Sequence, residues 1–189
     1  MMKRRPSFAL SLVTLAVLSA CGGAAERFAA PLAPPGARIG INVALLEVRQ
    51  VSLPSYALEE EIWIETETGA LTADANLLWA DDPARAVTQE VARQLAAISG
   101  ARVAAEPWPF EDLPEARVEL RIDEFIAGND GRFRISGQGF AVAVTAGQDR
   151  VFDFAVSAPV AAGSGTPGLA VARSEAIRDL ARRIAEAGL

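Results

Sequence analysis

The chain contains no histidine and almost no cysteine, lysine or tyrosine. Among its 189 residues there are no His, one Cys and one Tyr, and Lys3 is the single lysine. The absence of histidine removes the usual general base and the commonest metal ligand. A lone cysteine cannot form an internal disulfide or a CxxC motif. We therefore predict no catalytic residue, no metal site and no cofactor.

The charge balance is acidic, with 18 basic against 24 acidic residues and a net charge of −6. A nucleic-acid-binding protein would show a basic patch or stripe, which this sequence lacks. The glycine-rich segment GSGTPG at 163–168 has no Walker lysine. We interpret it as a linker or a helix-entry turn, and we predict no nucleic-acid partner.

The N-terminus has the order of a secretory signal peptide. Basic residues within the first five precede an apolar run at 8–18, and small residues then lead to Cys21. The run is shorter than the about 20 apolar residues of a membrane-spanning helix. The sequence predicts a signal peptide at 1–20, and the simplest alternative is a signal followed by an incidental cysteine.

The segment LSAC at 18–21 resembles the lipobox of bacterial lipoproteins. In that motif the cysteine is acylated and becomes the first residue of the mature protein. The resemblance implies covalent lipid, palmitate included, on Cys21. Loss of the signal would leave 15 basic and 24 acidic residues, a net of −9. Gly22 follows the cysteine, where enterobacterial inner-membrane retention typically uses Asp. The resemblance therefore implies anchoring at the periplasmic face of the outer membrane.

The remaining chain divides at residue 38. Residues 21–38 are rich in Ala, Pro and Gly and are predicted to form a flexible tether, and residues 39–189 to form a single domain. Period-two apolar patterns predict strands, and turn residues separate them. The predicted strands are 39–51, 61–68, a short strand near Gly69, 102–106, 116–125, 132–144 and 150–159. Changes of apolar phase at Glu124 and near Gly137 indicate bulges.

Two helices are predicted. Asp82 and Pro83 form a helix start, apolar residues recur at helical spacing from Ala84 to Ile98, and Gly100 is a C-terminal cap. A second stripe predicts a helix over 170–187. Amphipathic helices must bury their stripes, so we predict a two-layer α+β fold, a mainly antiparallel sheet with both helices packed on one face.

Three short pieces resemble a known family: Leu53-Pro54-Ser55-Tyr56, Trp79 before the first helix, and Pro107-Trp108. Together with the lipobox they are similar to the ABC-type transport auxiliary lipoproteins, the PqiC-like family, over about residues 39–189. The family usually continues LPxY with Leu-Asp-Arg-Pro, whereas residues 57–61 read Ala-Leu-Glu-Glu-Glu. The family's aromatic RYY is represented only by Arg-Phe-Ala at 27–29.

The resemblance implies an outer-membrane component of an MCE-type (mammalian-cell-entry domain) system for transporting lipid or other hydrophobic molecules. Its implied partners are a periplasmic MCE-domain protein, outer-membrane lipid through the acyl anchor, and further copies of itself in a ring. Apolar loop residues are the docking candidates, since aromatics are enriched in binding hot spots. These candidates are Leu53, Pro54, Tyr56, Trp108, Pro109 and Phe110. The simpler expectation is core packing, which we predict for Trp79 and leave open for Trp108.

Two rival functions remain at this point. Neighbouring carboxylates such as Asp123 and Glu124, or Glu111 and Asp112, could serve a glycosidase-like enzyme, although adjacent strand residues point to opposite faces. Alternatively, the domain could be a periplasmic lipid carrier or assembly factor that holds a hydrophobic ligand itself. An apolar cavity between the sheet and the helices would favour carriage, and a filled core with an exposed apolar loop would favour docking.

Overall fold

Strands and helices follow one another in the order expected for an α+β protein. The computed structural model describes residues 24–187 and 189. Its strands are β1 Glu26–Phe28, β2 Leu45–Val48, β3 Glu61–Glu65, β4 Leu71–Trp79, β5 Arg102–Ala105, β6 Ala116–Ala127, β7 Arg132–Ala143 and β8 Arg150–Pro159. The helices are α1 Pro83–Ser99 and α2 Gly165–Glu186. The signal peptide and Cys21 lie outside the described residues.

The long strand β6 organises an eight-stranded mixed sheet. One edge of β6 pairs antiparallel with β7 along its length, and β7 pairs antiparallel with β8. The other edge is shared. Along that edge, the first residues of β6 pair in parallel with β2, and β5 pairs with the far side of β2. At the other end of the same edge, Ala127 pairs with Ile64 of β3, and β4 and then β1 continue the sheet beyond β3. The sheet therefore forks at β6 into two arms.

The two predicted bulges have different outcomes in the β6–β7 pair. The register shifts between Ile122 and Glu124, so Asp123 is the extra residue. Gly137 pairs with Ile122 there, and a Cβ atom on it would lie 2.1 Å from the carbonyl oxygen of Arg121. Only glycine allows this close approach of the two backbones, and the extra residue explains the change of apolar phase in β6. In β7 the buried residues Phe133, Ile135 and Ala141 keep one alternation, and the pairing with β8 shows no register shift, so the bulge predicted near Gly137 is wrong.

The first helix begins and ends as predicted, whereas the second begins earlier. Asp82 caps α1 by accepting a hydrogen bond from the Arg85 backbone N–H at 2.6 Å, and Gly100 closes it with a left-handed φ of 76°. Helix α2 begins at Gly165, five residues before the predicted start. The linker interpretation of GSGTPG is thereby corrected, since Pro167 is tolerated in the first turn, where backbone N–H groups lack helical partners.

A continuous apolar core lies between the sheet and the helices. The inward residues of β6 and β7 are fully covered by α2 and α1, and Trp79 is buried as predicted. The largest apolar members are Phe133, Leu46, Leu95, Ile98, Leu120, Ile135, Ile177, Leu180 and Ile184. The alternate residues of β6, such as Arg117 and Arg121, stay outside this core. These observations confirm the α+β fold with both helices on one face.

Two predictions about the first 50 residues need correction. The strand expected over 39–51 is reduced to β2, because residues before it run along the helices instead: the Ile39 N–H donates to the Ile98 carbonyl at 3.0 Å and the Asn42 N–H to that of Leu189 at 2.8 Å. Part of the expected tether is also structured, since it contains β1. Nothing in the local sequence pattern requires either outcome.

Candidate docking surface

The segment 106–115, here called the aromatic loop, crosses the outer face of the sheet. Strands β5 and β6 lie on opposite sides of β2 and are both parallel to it, so their connection must pass over β2. Helix α1 contacts β2 and β5 on the inner face, which leaves the outer face for the loop. Glu47 points to that outer face and is only 4% exposed, and it accepts a 2.6 Å hydrogen bond from Arg117 Nε.

The aromatic loop is braced by its own side chains and by Arg102 of β5. The rings of Trp108 and Phe110 meet edge to face, 5.0 Å apart at 76°. The Trp108 indole N–H donates to the Asp112 carbonyl at 2.6 Å. The Arg102 guanidinium lies 5.2 Å from the centre of the Phe110 ring, a cation–π arrangement. Each contact restricts the loop, so its conformation is held before any partner arrives.

Both ends of the loop are fixed to the same strand. The Glu106 N–H donates to the Val48 carbonyl at 2.8 Å, and the Glu115 N–H donates to the Leu45 carbonyl at 2.9 Å. Between these ends the loop presents apolar surface to solvent, with Phe110 39% and Leu113 66% exposed. Pro109 is also exposed, and Trp108 is half-buried beneath them.

The other docking candidates lie in a different environment. Leu53 is buried in the core, and Pro54 is half-buried. The Tyr56 hydroxyl accepts a 3.0 Å hydrogen bond from the Phe125 N–H, and its ring lies 6.1 Å from Trp63. Burial raises the pKa of Tyr56. A shallow groove of about 320 Å³ runs beside these two rings.

The structure separates these candidates into two groups. Tyr56 contacts β6 at Phe125, whereas the start of the aromatic loop is bonded to Val48, which pairs with Val118 of β6. Seven residues of strand correspond to about 23 Å at roughly 3.3 Å per residue. The two groups therefore cannot form one small contact patch, and the aromatic loop is the more exposed of them.

The buried ion pair between the two helices was not predicted from the sequence. Arg173 Nη2 of α2 lies 3.8 Å from Glu90 Oε2 of α1, and each side chain is 5% exposed. The guanidinium also lies 5.0 Å from the centre of the Trp79 ring. Burial raises the pKa of Glu90 and lowers that of Arg173. The spacing in the sequence does indicate that Arg173 is buried, because it lies four residues before Ile177 and therefore on the apolar stripe of α2.

Two of the cavities differ from a lipid pocket. One of about 160 Å³ lies beside the buried ion pair, and another of about 440 Å³ is lined by polar side chains apart from Ala105. Within the described part of the chain, the space between the sheet and the helices is filled by core side chains. No helix among residues 24–187 is long and apolar enough to cross a membrane.

The carboxylate pairs considered for catalysis do not converge. Asp123 is exposed, while Glu124 is bound by Arg134 Nε at 2.8 Å and by the Ser136 hydroxyl at 3.3 Å. Glu111 and Asp112 lie on the exposed aromatic loop. Neither pair faces a common cleft, as acid and base in a glycosidase must do.

Comparison with known proteins gives a consistent result. The model of the family described as "ABC-type transport auxiliary lipoprotein component" matches residues 28–185. A crystal structure of an uncharacterised protein superposes with a TM-score of 0.67 at 20% identity, covering 85% of this chain and 98% of that one. Protein XCC0632 from Xanthomonas campestris, assigned to DUF330, gives 0.63 at 17% identity, covering 85% and 92%. No protein of curated function shows significant sequence similarity to the chain.

Proposed function

The chain belongs to the ABC-type transport auxiliary lipoprotein family, and from this premise we propose that it is the anchored subunit of an MCE-type envelope transport system. In this proposal the domain is held at the periplasmic face of the outer membrane by lipid on Cys21. It docks the periplasmic MCE component there and so supports trafficking of lipid or other hydrophobic molecules and membrane integrity. The family description is of a transport component, not of an enzyme.

The braced aromatic loop is the observation that carries this proposal. An exposed aromatic on a loop fixed at both ends loses little conformational freedom on binding, which favours affinity. Phe110 supplies an aromatic anchor and Leu113 the adjoining apolar surface. A lipid anchor also concentrates the domain at the membrane where its partner ends, so that a modest interface is sufficient.

The alternative of a lipid carrier or assembly factor receives less support. A carrier needs an apolar cavity of several hundred cubic ångströms. The 440 Å³ cavity is lined by Gln50, Asp82, Arg85 and other polar residues, which do not suit an acyl chain. Core side chains fill the space between the sheet and the helices, and the aromatic loop exposes apolar groups on the outer face. Both observations favour docking of a protein over carriage of a lipid.

Self-association into a ring is part of the same proposal. Strand β8 is ten residues long and pairs, among the described residues, only with β7. Val151 near its start is 63% exposed. A long edge strand with unpaired backbone groups is a template for pairing with another chain, so β8 is the edge through which we expect copies to meet.

Site-specific photo-crosslinking in the native host tests the proposal. A photoreactive amino acid at Phe110 should capture a periplasmic MCE-domain protein, identified by mass spectrometry. The matched control is Val171 on α2, an apolar residue of similar exposure, 44% against 39%. A second position, Tyr56, examines the other group of candidates.

The outcomes separate the hypotheses. Capture of the MCE protein from Phe110 but not from Val171 supports docking through the aromatic loop. Capture from Tyr56 alone would move the interface to the other group. Lipid as the sole product at Phe110 and Tyr56 would favour the carrier, and equal protein capture at Phe110 and Val171 would contradict a specific interface.

A further inference from the structure

We propose that the domain is held directly against the bilayer, with the turns β3–β4 and β6–β7 facing the lipid and the aromatic loop pointing away. This inference rests on the proposed function, because it takes Cys21 as the lipid attachment point. What it adds is an orientation. The observation behind it is the incorporation of β1 into the sheet.

The segment after Cys21 is bound to the domain almost at once. Strand β1 pairs in parallel with β4, with Glu26 opposite Leu77, and the Ala80 N–H donates to the Phe28 carbonyl at 3.0 Å. Arg27 Nη1 lies 2.6 Å from Glu60 Oε2 and donates to the Trp79 carbonyl at 3.2 Å.

The chain following β1 is bound as well. The Gln94 side chain donates to the Ala33 carbonyl at 2.7 Å, and both residues are buried. Ala33 follows β1 in the chain, and Gln94 belongs to α1. Residues 26–33 are therefore part of the fold, and the predicted tether does not space the domain from the membrane.

The remaining length is short compared with the domain. Five residue steps join Cys21 to Glu26, which span at most about 18 Å at about 3.6 Å per residue. A globular domain of this size has a radius of gyration of about 15 Å and thus a diameter of about 40 Å. A lipidated Cys21 must therefore keep part of the β1 side of the domain close to the bilayer.

The direction of β1 selects which part. Because β1 is parallel to β4, the chain before Glu26 arrives from the side where β4 begins, at Leu71 after the β3–β4 turn. The β6–β7 turn lies at the same end, since the Asn129 N–H donates to Glu65 Oε2 at 3.2 Å and its side-chain amide to the Thr66 carbonyl at 3.3 Å. Both turns therefore face the bilayer.

The chemistry of this end indicates how it meets the lipid. Glu67 and Asp130 are exposed there, as is Leu71. The basic side chains are occupied within the domain, Arg134 by carboxylates and Arg132 by Ser157. No free basic cluster is present in the described turns to attract anionic headgroups. The contact therefore depends on the covalent lipid and should not weaken in high salt.

The opposite end of the sheet then faces the periplasm. β6 has twelve residues and measures about 36 Å between its first and last residues at about 3.3 Å per residue. The β7–β8 turn at 144–149 lies at its beginning, since Ala116 pairs with Ala143. The aromatic loop ends at the same level. Its exposed face is thus placed where a component crossing the periplasm can reach it.

Fluorescence quenching by headgroup nitroxides tests the orientation. Full-length lipidated protein is reconstituted into phosphatidylcholine vesicles, and a fluorophore is attached through Thr68→Cys in the β3–β4 turn or Gln148→Cys in the β7–β8 turn. Both positions are exposed. We expect several-fold stronger quenching at residue 68 than at 148, unchanged by salt or by added anionic lipid.

A spacer supplies the matched control. About 20 Gly/Ser residues between Gly23 and Ala24 add a root-mean-square span of about 25 Å and should remove most of the difference. Vesicle flotation is measured on the same samples. Flotation with equal quenching at both positions overturns the orientation while keeping the anchor, whereas failure to float overturns the anchor itself and with it the proposed function.

Discussion

The two ends of β6 are built differently. At its final residues Arg134 of the neighbouring strand binds three carboxylates, Glu65 at 2.9 Å, Glu124 at 2.8 Å and Asp130 at 3.3 Å. The pair with Glu65 joins the β6–β7 hairpin to β3 on the other arm of the sheet, and the other two lie within the hairpin. At its first residues, here called the apolar end, the aromatic loop exposes the apolar side chains of Phe110 and Leu113.

This difference separates two tasks. Charge-assisted hydrogen bonds fix directions, so an end that must hold two arms in a defined position benefits from them. Exposed apolar groups add little to folding and become favourable only when a partner removes them from water. The polar end is suited to fixed placement beside a membrane, and the apolar end to contact with another protein.

The largest effect should follow loss of the anchor. Replacing residues 1–21 by the signal peptide of a secreted, non-lipidated protein removes Cys21, the proposed site of acylation. Each buried methylene contributes about 0.8 kcal/mol to membrane binding, so loss of several acyl chains should move nearly all of the protein from the membrane to the aqueous periplasmic fraction. Density-gradient fractionation measures this, and mass spectrometry of the mature N-terminal peptide should find the acyl mass in the unaltered protein.

A fusion provides the control for the anchor. Residues 1–25 joined to an unrelated secreted domain should carry that domain to the membrane. A free thiol on Cys21 in the unaltered protein, or membrane retention after the exchange, would contradict lipid attachment. Either result would also remove the basis for placing one end of β6 at the bilayer.

A smaller effect is expected from loosening the polar end. Arg134→Met removes all three pairs while keeping much of the apolar stem. Partly exposed ion pairs contribute less than about 1 kcal/mol each, so we expect the free energy of unfolding to fall by about 1–2 kcal/mol. Chemical denaturation measures the loss. Hydrogen exchange should increase in the β3–β4 and β6–β7 turns but not in the aromatic loop.

Arg121→Met is the matched control for this substitution. Arg121 also lies on the outer face and pairs with Glu119 at 2.8 Å, but its side chain is 61% exposed against 26% for Arg134. This exposed pair and the exposed cation–π contact of Arg121 with the Phe140 ring, 4.6 Å away, should together contribute no more than about 1 kcal/mol. Equal losses for the two variants would show that the three-carboxylate cluster has no special role in joining the arms.

Local patterns predicted most of the elements. The capping by Asp82 and Gly100, the three long strands and the bulge at Glu124 all depend on residues close in sequence, so they could be recognised directly. The fork of the sheet and the addition of β1 depend on pairing between residues far apart. A three-residue strand such as β1 has no periodicity of its own, and only its docking against β4 reveals it.

The candidate site was predicted in part for the same reason. Proline and aromatic residues at 107–110 indicated a loop with a binding surface, but not Arg102, whose contact with Phe110 crosses from another element. Leu53 belongs to the motif LPSY, yet its burial depends on the helices and leaves it outside the proposed contact surface. A motif shows that a residue matters without distinguishing packing from binding.

The smallest expected effect concerns acid at the polar end. The hydrogen bond from Arg134 holds the pKa of Glu65 below its usual value, and that from the Asn129 N–H acts in the same direction. A carboxylate with a lowered folded-state pKa stabilises the fold above its unfolded pKa of about 4.3, and this stabilisation disappears as the pH falls through the folded-state value. The difference in unfolding free energy between the unaltered protein and Glu65→Gln should therefore be present at pH 7 and shrink below about pH 4.3.

Denaturant titrations at pH 7 and at acidic pH measure this difference, and Glu67→Gln in the same turn is the control. Glu67 is exposed, so its substitution should change stability little at either pH. A Glu65→Gln difference that persists unchanged in acid would show that the amide disturbs packing and that charge is not the cause. The polar end of β6 would then owe its rigidity to the backbone pairing of β3 with β6, and its contrast with the apolar end would be one of exposure alone.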